Sequence, residues 1–244
     1  MTQLDLSIIL PAYNVESSIL QTLTILLSQG SRFGEHEIIV VDDGSADGTA
    51  SRVADMSHPS VRIESSRTNR GKGAAIKQGI AVASGRHLIM TDADLPYGVR
   101  GIDDCLAALK EAALVVGDRT LRPVGGVPVH PVRQRLSDAF ATLVRPLVGM
   151  SGIRDTQCGL KGMEAEFARA FLPHSAIDRF AFDVELIVFA LENRFAVRRV
   201  PVTLVRNDAS TVRPVTDGPN VLADVLRIGW RRWRGRYRRG RADC

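Results

Sequence analysis

The chain has 244 residues, 45% of them hydrophobic and 24% charged, a composition that fits an ordinary globular protein with enough length for a sizeable core. Its longest apolar runs fall far short of the roughly 20 residues that cross a bilayer, and the N-terminus shows no signal-peptide h-region, so the expectation is a cytoplasmic protein without a spanning helix. Three cysteines, Cys105, Cys158 and Cys244, are too few and too scattered for a disulfide framework or a zinc site and are read as reduced thiols.

In chain order, LSIIL (6–10) and EIIVV (37–41) are short β-branched runs that end in Pro11 and Asp42. Between them SSILQTLTILLSQG, closed by Gly30, predicts a helix and completes a βαβ unit. The alternation continues with a helix from about Asp47, an edge-like strand at VRIES, a helix over 73–84, the strand HLIMTD, a helix after Gly98 and the strand ALVVGD. Strands that read apolar throughout and alternate with helices predict an α/β fold, a mostly parallel central sheet with helices on both faces. In such sheets ligands bind beyond the carboxyl ends of the strands, where Pro11, Asp42, Asp43 and Asp92 should meet. After Gly117 the alternation loosens into a Gly- and Pro-rich loop, RPVGGVPVHP, a helix over 132–148 and a polar turn, GIRDTQCGLKGM. A helix at FDVELIVFALEN and a strand-like AVRRVPVTLV follow.

The net charge of +5 is concentrated at the end, where RIGWRRWRGRYRRGR (227–241) holds eight arginines and no acid. The expected organisation is therefore one domain over 1–219 and a basic amphipathic tail over 220–244. Trp230, Trp233 and Tyr237 interleaved with arginines suit the headgroup region of an anionic membrane better than a nucleic acid, and no nucleic-acid partner is expected. A solvated, disordered tail is the plain alternative.

Three stretches carry chemistry. In LIMTDADLPYG a strand runs into Asp92 and Asp94, and two carboxylates at a strand end can converge on a magnesium or manganese ion that holds a phosphate. VVDDGSADGTA places Asp42 and Asp43 at a strand tip, where one can accept from a ribose hydroxyl or base N–H, although DDGS is also a good strand-to-helix turn. NRGKGAAI puts Arg70 and Lys72 at a helix N-terminus, a place for a diphosphate or simply for a solvated charge pair. Neither a G-x-G-x-x-G fingerprint after the first strand nor a G-x-x-x-x-G-K-[ST] loop is present, which disfavours dinucleotide oxidoreductases and P-loop NTPases.

LPAYNVESSI, VVDDGSADGT, NRGKGAAIKQGI and MTDADLP, in that order and spacing, resemble the inverting family 2 glycosyltransferases of GT-A fold, which bind a nucleotide sugar and a divalent cation. GDRT, RQRLSDAF, RDTQCGLKG and RFAFDVELI extend the resemblance to the polyprenyl-phosphate sugar transferases, most nearly the dolichyl-phosphate β-glucosyltransferases. By resemblance, Pro11, Tyr13 and Asp42 line a uridine pocket with Glu16 nearby, Asp92 and Asp94 handle the metal (Mg2+ or Mn2+) and diphosphate, and Lys72 or Arg70 neutralises the departing diphosphate. Some polyprenyl-phosphate mannosyltransferases carry a side-chain metal ligand two residues after the second acid, where this chain has Pro96, so the cation would rely more on Asp94, the diphosphate and water.

The resemblance implies UDP-glucose as donor and polyprenyl phosphate as acceptor, and the basic tail places the expected location peripherally at the cytoplasmic membrane face. Arg119, Arg133 and Ser137 match the spacing of the acceptor-phosphate cluster, with Arg135 nearby, and Asp155 and Gln157 are candidates to orient the transferred sugar. A phosphate acceptor is largely dianionic at neutral pH and needs cations, whereas a hydroxyl acceptor needs a base. Asp183 or Glu185, at the start of an apolar helix, would supply that base in a rival enzyme with a soluble hydroxyl acceptor, unless Asp183 is only an N-cap. A nucleotide-sugar-binding or nucleotidyl-transfer protein is the rival of another class.

Overall fold

A computed structural model of the protein describes residues 4–121, 142, 144, 152–153, 155–205 and 214–239, with side chains of the last helix described from 220. The strands are β1 (Leu6–Ala12), β2 (His36–Asp42), β3 (Val61–Ser65), β4 (His87–Met90), β5 (Leu114–Asp118), β6 (Lys161–Glu164) and β7 (Val197–Pro201). They form one seven-stranded sheet in the order β3-β2-β1-β4-β6-β5-β7. Pairing is parallel for β1 with β2 and β4, β2 with β3, and β5 with β7, while β6 runs antiparallel to both β4 and β5.

Helices α1 (Ile19–Ser28), α2 (Thr49–Asp55), α3 (Lys72–Val82), α4 (Gly98–Ala108), α5 (Ala165–Phe171), α6 (Phe182–Glu192) and α7 (Pro214–Trp233) cover the sheet. Alternation along the strands divides the core. Ile8 and Leu10 of β1 and Ile38 and Val40 of β2 pack with Leu23 and Leu26 of α1 and Ile102 of α4. Ile9, Ile39 and Val41 point the other way, toward Ile76 and Ile80 of α3 and a cluster that includes α5, α6 and α7. The mostly parallel, two-faced sheet expected from the alternation is thus the sheet observed, with β3 at one edge and correspondingly half-exposed.

The polar turn expected over 152–163 is corrected by the fold, because Lys161 to Glu164 form a buried strand inserted between β4 and β5. Lys and Gly both disfavour strands in isolation, so KGME carries no periodic signal. It is a strand because its neighbours accept it: the buried Lys161 ammonium is met by Asp183, and a Cβ on Gly162 would come 2.9 Å from Ile89 Cδ1.

Nine of the eleven residues of α6 are buried, so this helix is covered on every side and its acids Asp183 and Glu185 are interior groups. One cover is α7, which occupies most of the expected tail. Val225 and Ile228, with Tyr237 just beyond the helix, are fully buried in the same core cluster as α6, each a burial of about 1.5–3 kcal/mol for side chains of this size. Cys105 and Cys158 are buried free thiols. The helix expected over 132–148, and with it Arg133, Arg135 and Ser137, lies outside the described residues.

Candidate active site

The parallel strands β1, β2, β4 and β5 end on one edge, and β6, running the other way, begins there. That topology gathers Pro11, Asp42, Asp92, Arg119 and the 155–160 segment on one rim. At the β1–β2 corner, Asp42 pairs in register with Ala12, is 4% exposed, and accepts a hydrogen bond from Ser45 N at 3.1 Å. Tyr13 is 39% exposed beside it, and Asn14, at φ +53°, turns the chain and accepts from Ala46 N. Glu16 is tied to the start of α2, accepting from Gly48 N at 3.0 Å and Arg52 Nε at 2.9 Å, and these two partners hold its carboxyl below the usual range.

Asp43, which sequence reasoning placed at the strand tip without a separate role, accepts from Arg70 N at 2.9 Å and Gly71 N at 2.7 Å. It therefore fixes the loop that opens α3. Burial pushes its carboxyl upward, against the pull of those two amides.

The first residue of α3, Lys72, reaches across to Asp92, Nζ to Oδ1 2.5 Å. Burial alone would lower the Lys72 ammonium, but Asp92 and Asp183 raise it; burial alone would raise Asp92, but Lys72, Lys161 and Arg119 hold it down. Asp92 thus stands among three cations. Thr22 Oγ1 donates to Ala93 O at 2.6 Å and Leu95 N to Asp92 O at 2.9 Å, which pins the DAD turn from both sides. Asp94 is part-buried in that turn and is engaged by its surroundings.

Arg119, at the end of β5, forks onto Asp155: Nε to Oδ2 2.7 Å and Nη2 to Oδ1 2.8 Å, with Arg119 N adding a third bond at 3.0 Å. Burial works against the ionised Asp155, but the guanidinium outweighs it and keeps the carboxyl low. Gln157 is part-buried, and its buried Nε2 has no hydrogen-bond partner among the described residues. Behind this rim Lys161 Nζ, fully buried, donates to Asp183 Oδ1 and Cys158 O, each at 2.6 Å. Asp183 therefore lies one residue inside α6 against a lysine; the residue preceding the helix is Ala181. Glu185 accepts from Ser175 Oγ, Ala176 N, Ile177 N and Tyr237 OH.

The structure brings Lys72, Asp92, Arg119, Asp155 and Asp183 into one charged cluster, and sets Pro11, Tyr13, Glu16 and Asp42 at its β1–β2 end. Lys161 and Tyr97 were missed. The signal for Lys161 was a lone lysine in an apolar stretch; Tyr97, 6% exposed and paired with Cys158, gave none. Two carboxylates at the β4 tip are hard oxygen donors suited to Mg2+ or Mn2+, and residue 159 is a glycine whose Cβ would fill the space held by Asp92. Among the described residues no group of three or more His, Cys, Asp or Glu is placed to hold a metal, so the two acids would need diphosphate oxygens to complete a coordination shell.

The family model for Glycosyl transferase family 2 matches residues 7–172. A dolichyl-phosphate beta-glucosyltransferase of Trichomonas vaginalis is 35% identical over 212 residues, covering 80% of this chain and 62% of that protein, so the chain spans about three fifths of that relative's length. The dolichyl-phosphate beta-glucosyltransferase of Dictyostelium discoideum is 32% identical over 243 residues, covering 93% of this chain and 74% of that protein. Among solved structures, mannosyl-3-phosphoglycerate synthase from Rubrobacter xylanophilus aligns with a TM-score of 0.73 at 19% identity, over 98% of this chain and 78% of that one. Glucosyl-3-phosphoglycerate synthase from Mycobacterium tuberculosis, in complex with Mn2+, UDP-glucose and phosphoglyceric acid, aligns with a TM-score of 0.67 at 20% identity, over 93% and 80%. At these identities the two structures bear on the fold, which is of the GT-A kind.

Proposed function

The chain belongs to glycosyl transferase family 2, and we propose that it transfers glucose from UDP-glucose to a polyprenyl phosphate, inverting the anomeric carbon. The observation that carries this reading is the charge on the rim: the cations Lys72 and Arg119 stand beside the part-exposed Asp92, while Asp183 and Glu185, the acids a hydroxyl acceptor would need as base, are interior. Asp183 is engaged by Lys161, and Glu185 by a phenol, a serine and two backbone amides. A site whose open acids lie where a metal and diphosphate would sit, and whose candidate bases are both engaged, suits two phosphates, one leaving and one attacking, better than a hydroxyl that must lose a proton. The relatives' names, dolichyl-phosphate beta-glucosyltransferase, support the same sugar and acceptor class.

In this mechanism Pro11, Tyr13 and Asp42 hold the uridine, with Glu16 bracing α2 beside it. Asp92 and Asp94 would hold the Mg2+ or Mn2+ with the diphosphate, and the ion when bound supplies positive charge for the departing diphosphate. Lys72, held over Asp92, lies at the N-terminus of α3 and adds its charge to the helix end there. Asp155 keeps Arg119 oriented, and Arg119 with Arg133 and Ser137 takes the acceptor phosphate. Gln157, whose buried side-chain nitrogen has no partner among the described residues, would orient the sugar through a hydroxyl once the donor is bound. The acceptor oxygen, ionised before binding, attacks in line with the leaving diphosphate, and no residue need remove a proton.

Residues 220–244 are proposed to meet an anionic membrane at its cytoplasmic face. On α7 the exposed side chains Leu222, Leu226, Trp230 and Trp233 form one stripe, and the Arg234 guanidinium lies 5.3 Å and 5.5 Å from the two indole rings.

A second reading, transfer to a soluble hydroxyl acceptor with Asp183 as base, is favoured by the fact that no described helix is long and apolar enough to cross a membrane. Incubation with labelled nucleotide sugars and either a short polyprenyl phosphate or the corresponding alcohol separates the two. Glucosyl lipid from the phosphate and none from the alcohol is the expected result; transfer to hydroxyl compounds alone overturns the proposal.

A further inference from the structure

We infer that Tyr237 and Glu185 are positioning residues for the diphosphate end of the donor site, linking the C-terminal segment to Lys72 through the 175–179 loop and the start of α3. The inference rests on the reading that Lys72 grips the donor diphosphate.

The link can be followed bond by bond. Tyr237 OH donates to Glu185 Oε1 at 2.7 Å, and both residues are fully buried. Burial and the neighbouring Glu185 charge raise the phenol far above its ordinary value, so it stays a donor at every physiological pH. The same carboxylate gathers the loop: Ser175 Oγ donates to Oε2 at 2.7 Å, Ala176 N to Oε1 at 2.9 Å and Ile177 N to Oε2 at 3.1 Å. A glutamine cannot replace it, because its NH2 would face one of these donors.

From there the loop passes directly over the start of α3. Asp178 O accepts from Ala74 N at 2.9 Å, and Asp178 Oδ1 from Lys77 Nζ at 2.5 Å. Contact is too close for any Cβ at the two flanking glycines: one on Gly71 would lie 2.6 Å from Asp178 O, and one on Gly73 2.9 Å from Ile177 O. Gly71 also holds φ +108°, open to glycine and strained for other residues. Between those two glycines stands Lys72. Its backbone is thus set from one side by Asp43, through Gly71 N, and from the other by the loop that Glu185 and Tyr237 hold.

At the far end the segment is fastened independently, with Asn193 Nδ2 donating to Tyr237 O at 2.7 Å and the Arg231 guanidinium 5.2 Å from the Tyr237 ring centre. Tyr237→Phe therefore keeps the packed ring and removes only the hydroxyl that completes the Glu185 site.

The test is titration calorimetry of the full chain with UDP and, separately, with uridine, in magnesium buffer. Tyr237→Phe is expected to weaken UDP binding about three- to tenfold, a fraction of what a hydrogen bond to a charged group is worth, and to leave uridine binding unchanged. Ser175→Ala, which removes a donor from the loop side of the same carboxylate, should do likewise and serves if the first variant folds poorly. Unchanged UDP affinity in both variants, or equal losses for UDP and uridine, overturns the inference in favour of a purely structural role. Lys72→Ala is the separate control. If it leaves UDP binding intact, the diphosphate reading itself falls and the inference with it; if it weakens UDP binding while the other two variants do not, only the inference falls.

Discussion

A Cβ on residue 159 would sit 2.1 Å from Asp92 Oδ2, so Gly159 is the space that the Asp92 carboxylate occupies. Asp92 cannot simply swing aside, because Lys72 holds its other oxygen. Gly159→Ala should therefore push the carboxylate off Lys72 and cut kcat at least tenfold, about 1.4 kcal/mol of barrier, while the melting temperature stays within a few degrees of wild type. Steady-state kinetics beside a thermal melt checks it, and undiminished activity would show that this close approach has no catalytic consequence.

Asp94 lies in the same turn but away from the strand core. Asp94→Asn should abolish most turnover and leave the fold intact, and an excess of chelator should mimic it in the wild type. Full activity in the variant, or in chelator, contradicts the role proposed for the β4 tip.

For the acceptor, Arg133→Ala should raise the KM for polyprenyl phosphate roughly 10- to 150-fold, the range set by a charge-assisted bond worth about 1.5–3 kcal/mol, with the donor KM little changed. The same reasoning sets the pH profile: an acceptor phosphate with a second pKa near 6 needs no base, so the rate should be flat above about pH 7. A steep rise there would instead indicate a titrating base.

Asp155 tests the fold and the site together. Its carboxyl, like that of Asp92, is depressed in the folded state. The stability such a group contributes is fully present above the unfolded value of about 3.9 and is lost as pH falls from there through the folded value. Melting temperatures should drop steeply below about pH 4, and Asp155→Asn should flatten that acid limb. The variant should also cost about 3 kcal/mol at neutral pH, the lower end for breaking a buried pair, because the Arg119 side chain is 31% exposed.

The strands and the edge where they end were legible in the sequence because β-branched runs terminate in acids and prolines, and the motifs around Asp42, Lys72 and Asp92 sit at those ends. What was not legible is who faces whom. Arg119 and Asp155 are 36 residues apart, and neither local pattern nor spacing announces their fork. Strand β6 was hidden because its lysine and glycine are tolerated only through Asp183 and the side chains around Ile89, contacts made by distant segments. Tyr237 read as one aromatic among tail arginines; its burial depends on a carboxylate 52 residues earlier. Glu185, a candidate base when only its helix could be seen, turns out to have its lone pairs committed to the loop and the phenol.

The last helix divides its residues between two tasks, and that division decides how membrane attachment can be tested. Val225, Ile228 and Tyr237 belong to the core, so a chain ending before Arg227 would lose the last two along with any anchor. Several arginines are also committed inward: Arg231 donates to His174 O, while Arg232 and Arg238 reach Glu192. Fewer than eight charges therefore remain to act outward at about 1 kcal/mol each near an anionic surface. The exposed stripe can be altered without touching the core, since Trp230 is 52% and Trp233 78% exposed. Wild-type protein should co-sediment with anionic vesicles at low salt, release as salt rises, and bind neutral vesicles weakly. Trp230→Ser with Trp233→Ser should lower anionic binding severalfold while leaving the melting temperature and turnover of a short, soluble polyprenyl phosphate unchanged. If the double variant binds vesicles as wild type does, or wild type ignores them at low salt, the stripe is not a membrane contact, and transfer to a soluble acceptor gains the ground that the membrane reading loses.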